Sequence, residues 1–375
     1  MSTLKDVAEL AGVSTATVSL ALNNGPVAAE TRLRVQEAAR TLKYVPNAIG
    51  RSLTTGRTRT ILLVTLISEG HADTVRKTSL FHYILEGLLS AATARGYGVR
   101  FDVQSHDDPS TASYFEGLVG GGTVDGVAII PQFNRNVDLL APLKREKFPY
   151  VVLRPGRFGT DDNFVDMGNY AGGEMVAKLF AASGAKRVAF INGPSTHFDA
   201  LERERGFRDG LAAARPEIMK VWYGDYTIEG GYVGMSEILR EMRPDSVFCG
   251  NDYMAAGAIR RLLEAGIRVP EDVSVVGYDD NDVCTGLYPP LTSVIHPFFD
   301  LGNALAESLL AQIEGHPSAQ QQTLVPHLVE RQSHRPPLRP SGESRDRGVL
   351  CLRNPFHSSP ALSRERARLR ACATS

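Results

Sequence analysis

The strongest constraint on this chain is a change of hydrophobic period near residue 60. From Thr60 onward, short apolar runs at 61–66, 99–103, 126–130, 150–153, 187–191, 246–249 and 273–276 suit strands. Helical stretches at 81–95 and near 170–183, 202–214, 230–242, 254–265 and 300–314 lie between or after them. Near-continuous apolar strands that alternate with helices predict parallel sheets covered on both faces. Some 270 residues of this pattern exceed what one doubly wound sheet packs around a single core, so two lobes are expected.

The first 59 residues follow another rule. Thr3 can cap a helix from Leu4 to Ala11, Gly12 breaks it, and Ser14 can cap a second helix through Leu22. A third runs from about Ala29 to Leu42, and Pro46 can open a short helix to about Leu53. Two short helices joined by a Gly turn fit either a helix-turn-helix DNA reader or a small bundle for protein contact. The segmentation predicted is therefore 1–45, a hinge at 46–59, a body at 60–333 and a tail at 334–375. The tail, rich in Pro, Arg and Ser without a sustained period, reads as disordered and basic.

Charge follows the same boundaries. Residues 1–60 carry eight Lys/Arg against four Asp/Glu, residues 334–375 nine Arg against three acids, and the middle is net −11 within a whole-chain charge of −1. A basic head on an acidic body predicts that the head alone meets a polyanion. No run of 18 apolar residues is present, so no membrane partner is expected. The first 25 residues lack a basic start and an apolar core, which argues against a signal peptide. Four scattered cysteines suit neither a disulfide framework nor a zinc cluster, and a reducing cytoplasm is the simplest compartment. Nucleophile-elbow, P-loop and His-Glu-x-x-His patterns are missing. Asp279-Asp280-Asn281-Asp282 lacks EF-hand spacing. Neither catalysis, a metal nor a cofactor is expected.

The order of residues narrows the choice. Leu4-Lys5-Asp6-Val7-Ala8-Glu9-Leu10-Ala11-Gly12-Val13-Ser14, Thr17-Val18-Ser19, Ala21-Leu22-Asn23, Glu30-Thr31-Arg32 and Tyr44-Val45-Pro46-Asn47 closely resemble the head of the LacI/GalR family of bacterial transcription regulators. In the body, Gly250-Asn251-Asp252, the stretch from Val269 to Asp280, Pro289-Pro290-Leu291-Thr292-Ser293-Val294 and Leu328-Val329-x-Arg331 continue the resemblance to about residue 333. It implies an all-α helix-turn-helix domain with a hinge helix, followed by a two-lobed α/β effector domain similar to periplasmic binding proteins (type 1). It also implies a homodimer on double-stranded operator DNA.

The resemblance assigns DNA contact to Ser14, Thr15, Ala16, Thr17, Leu20, Asn23, Asn47, Arg51 and Leu53. Thr15, Ala16 and Leu20 match the family's base readers, and Leu53 its minor-groove wedge. Leu20 stands where relatives often carry Arg. Thr15 can hydrogen-bond a base edge, while Ala16 and Leu20 offer apolar contact, for instance to a thymine methyl. Other specificity would come from DNA shape or from neighbours such as Thr17. Ala28 replaces the usual Ser or Thr cap, and Gly50 the usual hinge Ala.

The effector site implied comprises Phe81, Gln132, Arg203, Tyr226, Asn251 and Asp279. Planar polar groups with an aromatic face suit a hydroxyl-rich ring. Taken singly, such residues have ordinary structural uses, and an Asn-Asp after a strand is usually a turn. Gly168 departs from a Val-Asp-x-Asp-Asn pattern at 165–169, and Arg154 and Arg157 could face a charged sugar. The expected activity is sequence-specific repression relieved by a small carbohydrate. A sugar-binding protein without DNA function, or a purine-type corepressor sensor, are the alternatives.

Overall fold

The computed structural model describes residues 2–22, 25–44, 56–67, 80–131, 139–153, 163–316 and 321–338. Among the described residues, three helices form the head: α1 (Leu4–Ala11), α2 (Thr15–Leu22) and α3 (Ala29–Thr41). Thr3 and Asp6 make a reciprocal capping box, and Gly12 ends α1 in the left-handed conformation that glycine adopts without strain. The head's core is small, built from Val7, Ala8, Ala11, Val18, Ala21, Val35, Ala38 and Ala39.

The chain then builds β1 (Thr60–Ile67), α4 (Leu80–Ala94), β2 (Gly98–Ser105), α5 (Ser110–Gly121), β3 (Gly126–Pro131), α6 (Ala141–Arg145), β4 (Tyr150–Leu153) and β5 (Phe164–Asp166). It crosses to a second lobe made of α7 (Asn169–Ala182), β6 (Arg187–Asn192), α8 (Phe198–Leu211), β7 (Ile218–Tyr223), α9 (Ile228–Glu241), β8 (Ser246–Cys249), α10 (Asp252–Glu264), β9 (Ser274–Tyr278), α11 (Val283–Gly286) and β10 (Thr292–Ile295). It returns through α12 (Phe298–Glu314) and β11 (Gln321–Thr323) to the first lobe, and ends on β12 (His327–Val329) in the second. The sheet orders are β11-β5-β4-β3-β1-β2 and β12-β10-β9-β8-β6-β7. All pairings are parallel except β10 with β12.

Three crossings therefore join the lobes: after Asp166, at His296-Pro297 and at 324–326. The first and third are tied together, because Leu324 N–H donates to Asp166 O at 2.9 Å. This contact explains Gly168. Its φ is +75°, and a Cβ there would stand 2.5 Å from Leu324 O, so the Asp of the related pattern has no room.

Bare backbone brings helices together at pocket level. A Cβ on Gly206 of α8 would lie 1.9 Å from Tyr170 O of α7, and one on Gly173 2.1 Å from Arg203 O. Among the described residues, no helix is long and apolar enough to cross a membrane.

The two-lobed α/β expectation matches this architecture. β7 was not expected: it is a half-exposed edge strand, and its mixed sequence lacks a clear apolar run. The short pairings β5, β10, β11 and β12 and the helices α5, α6 and α11 also went unread. The hinge helix expected at 46–53 lies outside the described residues.

Candidate functional site

In the second sheet, β6 is followed by neighbours on opposite sides, β7 and β8, which creates a topological switch point. Open α/β sheets bind ligands at the carboxyl ends of strands around such a point. Arg203, Tyr226, Asn251 and Asp279 all come from segments that follow β6, β7, β8 and β9.

Arg203 is buried on α8. Its Nε donates to Asn169 Oδ1 at 2.8 Å, and its Nη1 donates to Gly250 O. The guanidinium lies over the Tyr278 ring, 3.9 Å from its centroid. Nη2 stands 4.0 Å from Asp279 Oδ1, too far for a direct hydrogen bond. Asn169 also donates to Asp199 Oδ1 at 2.8 Å, so one amide aligns the arginine with a second carboxylate.

Asp279 directly follows β9 with φ +102°, where its N–H donates to Val294 O at 2.7 Å. The carboxyl is buried and Oδ1 accepts no hydrogen bond. Burial holds its pKa well above the carboxylate range, and the nearby Arg203 offsets this only in part. Asp199 is raised to about 6 by burial, against the pull of Arg203. Tyr278 Oη and the ring of His296 are likewise buried, the first beside the Arg203 guanidinium and the second beside the Met167 backbone. His296 sits edge-on between Tyr278 and Phe298, at centroid distances of 4.9 and 5.3 Å, on a crossing between lobes. Burial pushes its pKa well below the usual value, with Arg203 adding to the effect, so the ring is neutral. Buried polar atoms without hydrogen-bond partners are uncommon in folded proteins, and Asp279 Oδ1 is one that lies beside Arg203.

Asn251 is used differently. Its Oδ1 caps α10 by accepting from Met254 N–H at 2.9 Å, and its Nδ2 donates to Tyr226 O at 3.0 Å. It shapes the wall and keeps one amide hydrogen in reserve. Tyr226, with φ +65°, sets its hydroxyl 3.3 Å from His197 Nδ1, and its ring occupies space that only Gly193 leaves open. Phe81 of α4 packs on Phe101 of β2 (4.9 Å between centroids) and against the first-lobe core. Gln132, Arg154 and Arg157 lie outside the described residues. Asn169, Asp199, Tyr278 and His296 were missed by sequence reading. Asn169 alone carried a signal, the Asn that ends the related pattern.

The Asp279–Asp282 run is a built turn. Asp280 Oδ1 accepts from Arg331 Nη1 at 2.5 Å, and Asn281 N–H donates to Asp252 Oδ2 at 2.9 Å. Among the described residues no group of His, Cys, Asp and Glu is arranged to hold a metal.

In the head, Ser14 caps α2 by accepting from Thr17 N–H at 3.1 Å, and the two hydroxyls bond each other at 2.9 Å. Thr15, Ala16 and Leu20 are exposed on one face of α2, while Val18 and Ala21 face the core. Arg32 turns inward and donates to Ala21 O and Gly25 O at 3.2 and 2.7 Å. Asn23, Asn47, Arg51 and Leu53 lie outside the described residues.

Comparison with known proteins joins these two sites. Residues 3–47 match the family "Bacterial regulatory proteins, lacI family", and residues 177–334 match a periplasmic binding protein-like domain. The regulator CelR of Thermobifida fusca is 36% identical over 338 residues, 88% of this chain and 98% of the relative. The repressor PurR of Mannheimia succiniciproducens is 33% identical over 340 residues, 89% and 98% of the two chains. Among solved structures, a CelR–cellobiose complex is 34% identical with a TM-score of 0.65, covering 89% of this chain and all of that one. A Lac repressor dimer bound to operator and an anti-inducer is 29% identical with a TM-score of 0.73, covering 88% and 98%. The chain belongs to the LacI family of bacterial regulatory proteins and is a DNA-binding transcriptional regulator, not an enzyme.

Proposed function

We propose that this regulator represses from an operator as a homodimer in the cytoplasm and is released when a small carbohydrate fills the second-lobe site. The observation that carries the reading is Asp279 Oδ1, a buried acceptor that receives no hydrogen bond and stands 4.0 Å from Arg203 Nη2. Adjacent hydroxyls of a sugar can donate to the carboxylate and accept from the guanidinium together. The cellobiose complex of CelR supports a sugar, and the Lac repressor dimer on operator supports two-fold assembly. The head at 1–45 reads the groove, residues 46–59 form the hinge, and the body at 60–333 pairs the subunits and senses the effector. In that hinge Leu53 is the wedge.

The experiment is operator release, titrated with cellobiose, ribose and a purine base. A sugar that releases the protein identifies an inducer; tighter operator binding with the purine identifies a corepressor and overturns the sugar reading. With the active ligand, Asp279→Asn weakens the response about ten- to hundredfold, the loss of one charge-assisted hydrogen bond of about 1.5–3 kcal/mol. Operator affinity without ligand stays as in the parent. An unchanged midpoint would make Asp279 a turn residue.

A further inference from the structure

The recognition helix of a DNA reader commonly carries a side chain that makes two hydrogen bonds to one base, such as Arg to guanine or Asn to adenine. The exposed face of α2 has none. It presents Thr15, Ala16 and Leu20, and Leu20 is 43% exposed although leucine gains by burial. Among the described residues beside it, several polar groups are engaged within the head. The hydroxyls of Ser14 and Thr17 bond each other, and Ser14 also accepts from Thr17 N–H, so the pair is engaged in capping α2. Arg32 spends its guanidinium on the backbone of Ala21 and Gly25. Leu20 is also held in place. A Cβ on Gly25 would lie 2.7 Å from Leu20 Cδ2, so the bare turn lets the leucine lie against it with its outer surface free.

The thymine C5-methyl is the apolar group that base edges display in the major groove. We infer that α2 identifies its half-site through thymine methyl groups, one under Ala16 and one under Leu20, with Thr15 supplying a single hydrogen bond. The inference rests on the DNA-binding reading above and adds the chemistry of recognition. Leu20 and Ala16 act here as specificity residues, and phosphate contacts supply affinity that does not depend on sequence.

The test begins with the full-length chain and a pool of random duplexes, from which bound sequences are enriched. Each thymine of the enriched half-site is then replaced by deoxyuridine, which deletes the methyl and keeps base pairing. Two thymines per half-site are expected to lose about fourfold in affinity on replacement, the burial value of roughly one methylene, 0.8 kcal/mol. Leu20→Ala is expected to abolish the uracil effect at one of them, a non-additive pair that marks direct contact. An enriched half-site that binds equally well with uracil throughout overturns the inference while leaving sequence-specific DNA binding intact. Failure to enrich any sequence overturns both readings. The uracil series uses the unaltered protein, so its outcome does not depend on how a variant folds.

Discussion

The two lobes share a sheet plan and differ in what they bury. Among the described residues, the first lobe has buried side chains that are mostly aliphatic, with Thr65, His106 and Thr111 as its buried polar groups. The second buries Asn169, Asn192, Arg203, Glu204, Asp245, Asn251, Asp252 and Asp279, with several serines and threonines. A buried polar group is tolerated when its bonds are satisfied and is costly when they are not. Most of the second lobe's groups are satisfied internally: Asp252 accepts from Ser293 Oγ at 2.6 Å and from Asn281 N–H, and Asp245 accepts from the N–H groups of Lys186 and Arg187. Asp279 Oδ1 is not, and neither are atoms of Ser246, Tyr278, Asn281, His296 and His334. Burial of charge therefore does not by itself set Asp279 apart from Asp245 and Asp252; what differs is that its Oδ1 accepts no hydrogen bond and lies 4.0 Å from Arg203 Nη2.

The largest effect is expected where packing holds the polar network. Gly206→Val pushes a side chain into the α7 backbone, forces α8 outward and displaces Arg203. Overpacking of this kind costs about 3 kcal/mol or more where backbone is the obstacle. Denaturant unfolding should show the loss, and effector response should disappear with it. A variant that keeps its full response would show that the network does not depend on the α7–α8 contact, and would break the comparison between scaffold and site.

Asp252 and Asp279 sharpen it. Both are buried carboxyls in one lobe; Asp252 accepts hydrogen bonds from Ser293 and Asn281, while Asp279 Oδ1 accepts none and has Arg203 at 4.0 Å. Asp252→Ala is expected to cost about 2–4 kcal/mol, since hydrogen bonds to a charged acceptor contribute about 1.5–3 kcal/mol each and some are retained by water. Burial raises the Asp252 pKa to about 7, against the hydrogen bonds from Ser293 and Asn281. A carboxyl whose folded pKa is raised stabilises the fold below its unfolded pKa, and that stability is lost as pH rises through about 7. The melting temperature of the parent should thus fall between pH 4 and pH 8 relative to Asp252→Asn, whose amide does not titrate. Parallel curves would place the Asp252 proton elsewhere.

How far the sequence could be read follows the same division. Apolar strands such as β4 and β8 were legible end to end, because full burial on both faces leaves an unbroken run. The caps at Thr3, Gly12 and Ser14 were legible because capping is local chemistry. β7 was not, since an edge strand needs no such run. Within the site, resemblance brought Arg203 and Asp279 to one place, but it could not show that Asn251 is spent on capping α10. His296 carried no pattern, because its meaning lies in what surrounds it. Phe81, a member of the effector site that the resemblance implies, packs on Phe101 and the first-lobe core.

The smallest effect tests the head against the body. The body's cores contain large side chains such as Phe190, Phe207 and Phe248, while the head relies on alanine and valine, so termini of helices count for more there. Two of its three helices begin with a side chain that accepts from the first turn, Thr3 for α1 and Ser14 for α2. The third begins at Ala28, which is extended (φ −58°, ψ 143°), exposed and offers no side-chain bond. The backbone already has cap geometry, so Ala28→Ser needs no rearrangement, and its hydroxyl can reach the N–H groups of the first turn of α3. The gain expected is about 0.5–1 kcal/mol. Hydrogen exchange of the α3 amides should slow about two- to fivefold in the full-length chain, while the body's amides keep their rates. Unchanged exchange in α3 would mean that its first turn frays independently of the rest of the head, and that packing on Val35, Ala38 and Ala39 alone sets its stability.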